Sequence, residues 1–314
     1  MFDLTGSRVW VAGHRGMVGS AVWRALEAHG VGEQIGWTSA ELDLTDRDAT
    51  IEAAREARPD AVIVAAAKVG GIGANSADPV GFLQDNVRIQ TNVMEAAHLA
   101  DVDRLLFLGS SCIYPRLAPQ PLEPSSLMTG PLEPTNDGYA IAKIAGLVHV
   151  QGHRRQFGRR WISAMPTNLY GPGDDFGLAS AHVLPALIHR FEVARRDGAE
   201  AVTLWGTGTP RREFLHVDDL ARACVRLLER YDDDVPINVG TGEDQTVAEL
   251  AALVAAVVGF DGRIEWDTNR PDGTPRKLLD VGPMTGLGWA PAVGLREGIA
   301  ATHAWFVQNA LGAE

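Results

Sequence analysis

The chain has 314 residues, 46% of them hydrophobic and 22% charged, which is enough to bury a substantial core in one large or two modest domains. The formal net charge of −12 argues against non-specific nucleic-acid binding, which needs a basic surface. No apolar run is long enough to cross a bilayer, no secretion signal is recognisable, and the two cysteines form neither a disulfide framework nor a metal-ligand spacing. We therefore expect a cytoplasmic protein with no nucleic-acid, membrane or metal partner.

The first 110 residues alternate short apolar segments with longer segments of helical period. The predicted strands are residues 8–12, 34–38, 61–67 and 104–109, and the predicted helices are residues 17–29, 47–58 and 79–100. This order predicts a parallel sheet with helices on both faces, which is a doubly wound α/β Rossmann fold.

The pattern changes after residue 113. A Pro- and Gly-rich segment, 114–138, precedes a predicted helix at 139–157 and a strand at 161–169. Beyond residue 171, a helix at 183–196, a strand at 202–205 and short strands with Gly-rich turns predict a smaller α+β lobe, to which segments 246–259, 263–267 and 295–310 also belong. The helix predicted at 218–231 returns to the first lobe. The predicted Rossmann domain therefore comprises residues 1–172 and about 213–240, and the substrate-binding lobe about 173–212 and 241–314.

A glycine-rich turn joins the first strand to the first helix. It reads Gly13-His14-Arg15-Gly16-Met17-Val18-Gly19. Glycines at this place let the backbone approach a pyrophosphate at a helix N-terminus, so the turn predicts a dinucleotide site. NAD-specific sites usually carry an acidic residue about 20 residues further on. Residues 37–40 contain none, and Arg15 is placed to pair with a 2′-phosphate, which favours NADP. The alternative is that Arg15 is only solvated.

Three polar residues predict the chemistry. Tyr139 and Lys143 are four apart on a predicted helix and share one face, and Ser110 ends the fourth strand. A nearby ammonium is expected to lower the pKa of a tyrosine, which suits proton exchange with a carbinol or ketone oxygen. We therefore expect hydride transfer between a nicotinamide and a C–OH/C=O centre. In this interpretation Tyr139 moves the proton, Ser110 orients the oxygen and Lys143 activates the phenol; the alternative is that Tyr139 and Lys143 are an ordinary amphipathic pair.

Beyond the glycine spacing, which resembles the extended short-chain dehydrogenase/reductases, longer blocks resemble the GDP-L-fucose synthase family. These blocks are residues 13–20, 65–72, 108–115, 139–143, 166–172, 212–219 and 272–277. That family epimerises C3 and C5 of GDP-4-keto-6-deoxy-D-mannose and then reduces C4 with NADPH, giving GDP-L-fucose. The resemblance thus implies a bifunctional epimerase/reductase with NADP as cofactor. It also implies a homodimer with an interface of four helices, formed by 79–100 and 139–157.

The resemblance also assigns further residues. Cys112 matches the family's proposed base for epimerisation and His182 its acid, whereas Cys224 keeps the interpretation of a small buried hydrophobe. The implied substrate contacts are Arg190, Trp205, Arg212, Asp272 and Lys277. The implied cofactor contacts are Gly13, His14, Arg15, Gly16, Met17, Val18, Gly19, Ser39, Asp43, Leu44, Leu108, Gly109, Ser110, Ser111, Lys143, Pro166, Thr167, Asn168, Leu169 and His182.

Two of these assignments carry alternatives. The family often has an arginine near position 39, but this chain has Ser39, which offers one hydrogen bond rather than a charged fork and leaves Arg15 as the main anchor for a 2′-phosphate. Asp43 is placed to accept a hydrogen bond from the adenine amine. Asp43, or Thr45, is equally placed to cap the next helix.

Other functions remain open from the sequence. One is a nucleotide-sugar 4-epimerase or 4,6-dehydratase of the same superfamily, but a dehydratase is expected to carry an acidic residue near Ser111 or Cys112, and none is there. Another is a non-catalytic NADP-sensing protein. Such proteins typically lack the tyrosine or the lysine, and this chain has both.

Overall fold

The computed structural model describes residues 2–270 and 272–311. Its strands are β1 (Arg8–Ala12), β2 (Glu33–Ile35), β3 (Ala61–Val64), β4 (Arg104–Leu108), β5 (Arg160–Pro166), β6 (Asn168–Tyr170), β7 (Ala201–Trp205), β8 (Arg211–Arg212), β9 (Phe214–His216), β10 (Ile237–Val239), β11 (Gln245–Thr246), β12 (Arg263–Asp267) and β13 (Arg276–Lys277). Its α-helices are α1 (Met17–His29), α2 (Arg47–Ala57), α3 (Ile72–Ala77), α4 (Pro79–Leu99), α5 (Asp137–Phe157), α6 (Val183–Arg196), α7 (Val217–Arg230), α8 (Val247–Val258), α9 (Gly282–Gly286) and α10 (Leu295–Asn309).

The central element is a parallel sheet of six strands in the order β10-β5-β4-β3-β1-β2. Because side chains alternate along a strand, β1 sends Val9 and Val11 to one face and Trp10 and Ala12 to the other. Helices α1 and α7 cover the first face, and α2, α4 and α5 cover the second. The predicted doubly wound Rossmann fold is therefore confirmed.

A separate apolar cluster forms around α6, α8 and α10, which pack with the two-stranded sheet of β7 and β12. This cluster lies in the segments assigned to the smaller lobe, while α7 packs against α1 as expected. The division into two domains stays a prediction, and its terminal residues 1 and 312–314 lie outside the described residues. Over residues 2–270 and 272–311, no helix combines the length and apolar character needed to cross a membrane.

The longer predicted elements agree with the structure within one to three residues, and two differences matter. The strand predicted at 161–169 is two strands, because the chain leaves the central sheet at Pro166 and β6 pairs with β9 instead. Helix α3 was not predicted, since its six residues, IGANSA, are too short and too polar to show a helical period.

Arg104 is fully buried at the start of β4. Its guanidinium donates hydrogen bonds to the carbonyls of Leu227 and Leu228 at 2.8 Å each, to that of Arg160 at 2.8 Å, and to that of Tyr231. Burial lowers its pKa to about 10, so the group stays protonated at neutral pH. One side chain thus satisfies the carboxyl end of α7 and ties it to the sheet.

We expect Arg104→Met to lower the free energy of unfolding by about 3 kcal/mol, because it removes the hydrogen bonds that the guanidinium donates to buried carbonyls. Urea denaturation followed by circular dichroism measures this. The matched control is Arg55→Met at an exposed position of α2, where a change within about 0.5 kcal/mol is expected. Equal stability of the two variants would contradict the role assigned to Arg104.

Candidate active site

The predicted site residues gather at one edge of the central sheet. Because the six strands are parallel, the segments that follow β1, β4 and β5 all leave the sheet at its carboxyl edge. The predicted cofactor residues of these segments are Gly13 to Gly19 after β1, Leu108 to Ser111 at the end of β4, and Pro166 to Leu169 at the end of β5. The structure therefore brings together three chain segments that are far apart in sequence.

Two glycines of the turn after β1 have no room for a Cβ atom. Gly13 has φ of +86°, and a Cβ atom there would lie 2.7 Å from the backbone of Ala66. A Cβ atom on Gly19 would lie 2.0 Å from the carbonyl oxygen of Gly13. Gly16 precedes the first turn of α1 in an extended conformation, and Met17, Val18 and Gly19 form that turn. This close-packed backbone at a helix N-terminus fits the diphosphate of a dinucleotide.

The turn after β2 contains the residues expected near the adenosine. Ser39 and Asp43 are exposed, and Leu44 packs against the core. Neither Asp43 nor Thr45 caps the following helix: the cap is Asp46, whose carboxylate accepts a hydrogen bond from Ala49 N at 3.1 Å. Asp43 instead accepts hydrogen bonds from the backbone and hydroxyl of Thr45 at 2.9 and 2.8 Å.

A carboxylate that was not predicted lies beside this turn. Glu41 accepts hydrogen bonds from the amide and the hydroxyl of Thr38, both at 2.8 Å, which lower its pKa. Its charge acts on His14 and Arg15 of the glycine turn. Residues 37–40 contain no acidic group, but Glu41 follows one position further on and was not among the predicted site residues. The carboxylate of Glu41 is hydrogen-bonded within its own turn. The guanidinium of Arg15 is exposed and remains accessible to a 2′-phosphate.

Ser110, Tyr139 and Lys143 come together as predicted. Helix α5 places Tyr139 beside Ser110, close enough for the serine side chain to act on the pKa of the phenol. The Nζ atom of Lys143 lies 5.8 Å from the centre of the Tyr139 ring and donates a hydrogen bond to the carbonyl of Leu108 at 2.8 Å. Lys143 is buried, and burial lowers its pKa to about 8.

The expected effect of Lys143 on Tyr139 is not what the structure gives. Burial raises the pKa of the Tyr139 phenol, the nearby Cys112 raises it further, and the hydrogen bond with Ser110 offsets this only in part. The ammonium of Lys143 is directed to a backbone carbonyl, so its charge does not outweigh desolvation. The prediction of a lowered pKa was therefore wrong, and the phenol is protonated at neutral pH.

The thiol of Cys112 lies among hydrogen-bond donors. Its Sγ atom is 3.4 Å from Nζ of Lys277 and 3.4 Å from Nδ2 of Asn136, and its backbone amide donates to Oγ of Ser110 at 3.2 Å. Burial raises the pKa of the thiol, but the charge of Lys277 and the hydrogen bonds from Ser110, Lys277 and Asn136 outweigh burial and lower it overall. The surroundings of Cys112 therefore favour its thiolate form. Asn136 was not predicted, because its sequence position gives no sign that it contacts Cys112.

His182 immediately precedes the first turn of α6 and is exposed to solvent. The protein atoms around it lower its pKa by desolvation, the charge of Lys277 lowers it further, and Asp175 acts in the opposite direction. Lys277 therefore acts electrostatically on both Cys112 and His182. Cys112 and His182, the two residues predicted for epimerisation, are thus both near the ammonium group of Lys277.

The predicted substrate residues differ in their surroundings. Arg212 lies near Cys112 and Asp272, and it pairs in register with Lys277 across β8 and β13. Trp205 is 61% exposed, and the guanidinium of Arg270 lies 4.9 Å from the centre of its ring. Both carboxylate oxygens of Asp272 accept hydrogen bonds from Thr207, at 3.0 Å from the amide and 2.7 Å from the hydroxyl.

Arg190, the remaining predicted substrate residue, lies half-buried on α6, the helix that begins after His182. Asp272 holds a turn in place through its hydrogen bonds with Thr207. Arg212 and Lys277 are the cations that the structure brings next to Cys112.

We expect Lys277→Met to move the pH midpoint of Cys112 alkylation upward by about one to two units, because the variant removes the charge that holds the thiol pKa down. The rate of iodoacetamide modification, followed by mass spectrometry across a pH series, measures this. Lys68→Met is the matched control, since Lys68 pairs with Asp78 and Asp85 instead. An unchanged midpoint in Lys277→Met would show that Lys277 does not set the thiol pKa.

The sheet, the glycine turn and the Ser110–Tyr139–Lys143 set together define a class of protein, the dinucleotide-dependent reductases and epimerases that share the Rossmann fold. A family comparison agrees with this class. The profile described as the NAD dependent epimerase/dehydratase family matches residues 9–240.

Individual relatives are more specific. The chain is 54% identical to GDP-L-fucose synthase 1 of Arabidopsis thaliana over 96% of its own length and 94% of the relative's, and 50% identical to GDP-L-fucose synthase of Escherichia coli K12 over 98% of both. Among solved structures, a GDP-mannoheptose C4 reductase from Campylobacter jejuni with NADP bound has a TM-score of 0.88 at 32% identity, covering 98% of this chain and 100% of that one. The chain therefore belongs to the GDP-L-fucose synthases within the epimerase/dehydratase family.

Proposed function

We propose that the chain converts GDP-4-keto-6-deoxy-D-mannose to GDP-L-fucose by epimerising C3 and C5 and then reducing the C4 ketone with NADPH. The observation that carries this proposal is the position of Cys112. Its thiol contacts Lys277 and Asn136, and its backbone amide donates a hydrogen bond to Ser110, which lies beside Tyr139. A base for carbon-bound protons and an acid for a ketone oxygen thus share one cleft.

Epimerisation next to a ketone needs a base that removes a carbon-bound proton and an acid that returns one on the opposite face. Cys112 is the base, because the ammonium of Lys277 favours its thiolate. His182 is the acid. The hydroxyl of Ser110 and the phenol of Tyr139 hold the ketone oxygen while negative charge builds on it.

Reduction of C4 uses the same oxygen. NADPH, when bound, supplies the hydride that C4 accepts. Tyr139 donates the proton that converts the C4 oxygen to a hydroxyl, and its raised pKa keeps that proton on the phenol at neutral pH. Lys143 lies behind the ring, where its hydrogen bond to the carbonyl of Leu108 fixes the end of β4 against α5. The reaction direction therefore matches the protonation state of the acid.

The glycine turn and Arg15 hold the diphosphate and 2′-phosphate of NADP, and Ser39 adds one hydrogen bond. The predicted Arg190, Trp205, Arg212, Asp272 and Lys277 bind the GDP-sugar. Arg212 and Lys277 supply positive charge beside the reacting sugar, and the exposed ring of Trp205 offers a stacking surface. The need for a free thiol at Cys112 supports a reducing compartment, the cytoplasm, as the place of action.

A homodimer is part of this proposal. Large apolar side chains lie exposed on two long neighbouring helices, with Val80 and Leu99 on α4 and Ile141, Val148 and Phe157 on α5. Such a surface favours association with a second copy. We expect sedimentation equilibrium to give the dimer mass, and Val148→Glu to shift the equilibrium toward monomer. A monomeric wild-type protein would contradict the dimer.

The test of function is incubation with GDP-4-keto-6-deoxy-D-mannose and NADPH. We expect one NADPH oxidised per sugar, followed by absorbance, and a product that NMR identifies as GDP-L-fucose. In deuterated solvent, C3 and C5 of the product carry deuterium. Absence of NADPH oxidation would refute the synthase proposal in favour of a 4-epimerase or a non-catalytic NADP-sensing protein. Oxidation without inversion at C3 and C5 would leave only a reductase.

A further inference from the structure

Glu213 is a carboxylate that the proposed reaction does not use. It is fully buried between β8 and β9, next in sequence to Arg212. Its Oε1 atom accepts hydrogen bonds from the amides of Thr241 at 2.5 Å and Gly242 at 2.8 Å, and its Oε2 atom accepts one from the amide of Leu279 at 3.0 Å. One side chain therefore joins three segments that are distant in sequence.

The backbone of Glu213 is also held at the cleft. Its carbonyl accepts hydrogen bonds from the hydroxyl of Thr167 at 3.3 Å and from Nδ2 of Asn168 at 2.8 Å, both in the segment that follows β5. Glu213 is thus fixed to the carboxyl edge of the central sheet. Its carboxylate holds the amides of Thr241, Gly242 and Leu279 near the same edge.

The bond to Leu279 bears on Lys277. Strand β13, which contains Lys277, pairs with β8 so that Lys277 lies opposite Arg212. Before β13, the amide of Arg211 donates to the carbonyl of Pro275 at 2.8 Å; after it, the Glu213 carboxylate receives the amide of Leu279. The Glu213 side chain therefore takes over from the backbone pairing of β8 and β13. It holds the chain two residues after Lys277, at the carboxyl end of β13.

The opposite edge of the same segment has other anchors. The carbonyl of Leu278 accepts a hydrogen bond from the amide of Leu122 at 2.7 Å, and the amide of Asp280 donates to the carbonyl of Leu122 at 2.9 Å. Loss of the Glu213 bond is consequently expected to let the segment shift relative to β8 without releasing it. A shift of this kind changes the distance from Nζ of Lys277 to Sγ of Cys112, which is 3.4 Å in the structure.

We propose that Glu213 is a positioning residue that holds Lys277 against Cys112, so that thiolate formation at Cys112 depends on a carboxylate with no contact to the substrate. The inference rests on the proposed function only in taking Cys112 as the base of epimerisation. It concerns the thiol itself, and it is measurable without substrate or cofactor.

Glu213→Gln separates this role from a direct charge effect. The amide oxygen of glutamine can still accept from Thr241 and Gly242, but its NH2 group then faces the amide of Leu279, where two donors repel. Loss of the hydrogen bond to Leu279 lets Lys277 move away from Cys112, which raises the pKa of the thiol. Removal of a buried negative charge would by itself favour the thiolate and lower that pKa. The sign of the shift therefore distinguishes the two effects.

A second variant acts on the same carboxylate without removing it. A Cβ atom at Gly240 would lie 2.1 Å from Oε1 of Glu213, so Gly240→Ala pushes the carboxylate out of place while its charge remains. This variant keeps the proposal testable if Glu213→Gln does not fold. The matched control is Glu192→Gln, since Glu192 is also fully buried but pairs with Arg195, Arg196 and His303 outside the cleft.

The experiment follows alkylation of Cys112 by iodoacetamide across a pH series, with peptide mass spectrometry as the readout. Cys224 does not interfere, because it is fully buried and burial raises its pKa to about 12. We expect Glu213→Gln and Gly240→Ala to move the midpoint upward by about one pH unit. At pH values well below the wild-type midpoint the thiolate fraction then falls about tenfold, and since a more basic thiolate is more nucleophilic, the rate falls about threefold.

An upward shift in both Glu213→Gln and Gly240→Ala, with Glu192→Gln like the wild type, supports the positioning role. An unchanged or lowered midpoint in the variants that fold overturns it, as does an equal shift in the control. Because the assay contains no sugar and no NADPH, its result is independent of turnover. A wild-type protein that fails to make GDP-L-fucose refutes the proposed function but leaves the alkylation result intact.

Discussion

Tyr139→Phe is expected to slow C4 reduction by about a thousandfold. The variant removes the phenolic hydroxyl and its proton, and general acids contribute about 10² to 10⁴ in rate. The aromatic ring remains, so packing against Lys143 is preserved. Single-turnover oxidation of NADPH with saturating keto-sugar measures the effect. Fluorescence titration of NADPH is expected to give a dissociation constant close to that of the wild type.

Tyr231→Phe is the matched control for this change. It removes a hydroxyl that donates to the carbonyl of Val235 at 2.6 Å, at the exposed end of α7. Turnover is expected to be unchanged. A Tyr139→Phe enzyme that reduces the keto-sugar as fast as this control would take Tyr139 out of the proton transfer and restore the hypothesis of a non-catalytic role.

Cys112→Ser is expected to lower deuterium incorporation at C3 and C5 by at least about a hundredfold, because a serine hydroxyl is far harder to deprotonate than the thiol that Lys277 stabilises. Hydride transfer to a keto-sugar that already has the inverted configuration is expected to change by less than about tenfold, since Ser110, Tyr139 and Lys143 remain. NMR of the sugar in deuterated solvent measures the exchange.

The control for the thiol is Cys224→Ala. Cys224 is a buried residue of α7 in the hydrophobic core. Folded Cys224→Ala protein is expected to exchange deuterium at C3 and C5 as fast as the wild type. Undiminished exchange in Cys112→Ser would remove Cys112 from the mechanism. Parallel loss of exchange and reduction would show that the substitution disturbs the shared oxygen site at Ser110.

The fold was predictable wherever one short segment carries enough information. Short continuous apolar runs specify β1, β3 and β4, and Val183–Arg196 was predicted with its observed bounds. Prediction failed where a residue distant in sequence determines the strand pairing. The chain leaves the central sheet at Pro166 because β9 pairs with the following residues, and β9 lies more than 40 positions away. No local pattern around Pro166 shows that pairing.

The candidate site divides in the same way. Ser110, Tyr139, Lys143 and the glycine turn follow from spacing on predicted elements, and the structure brings them together. The direction of the Tyr139 pKa could not be predicted, because it depends on burial and on where Lys143 directs its donor. Asn136 and Glu213 were missed because their partners, Cys112 and Leu279, are distant in sequence.

Ser110 touches the partners of both proposed half-reactions. Its hydroxyl oxygen accepts a hydrogen bond from the backbone amide of Cys112 at 3.2 Å, and its side chain lowers the pKa of both the Cys112 thiol and the Tyr139 phenol. A displacement of Ser110 therefore changes the base of inversion and the acid of reduction together. Neither half-reaction can be retuned at this position without the other.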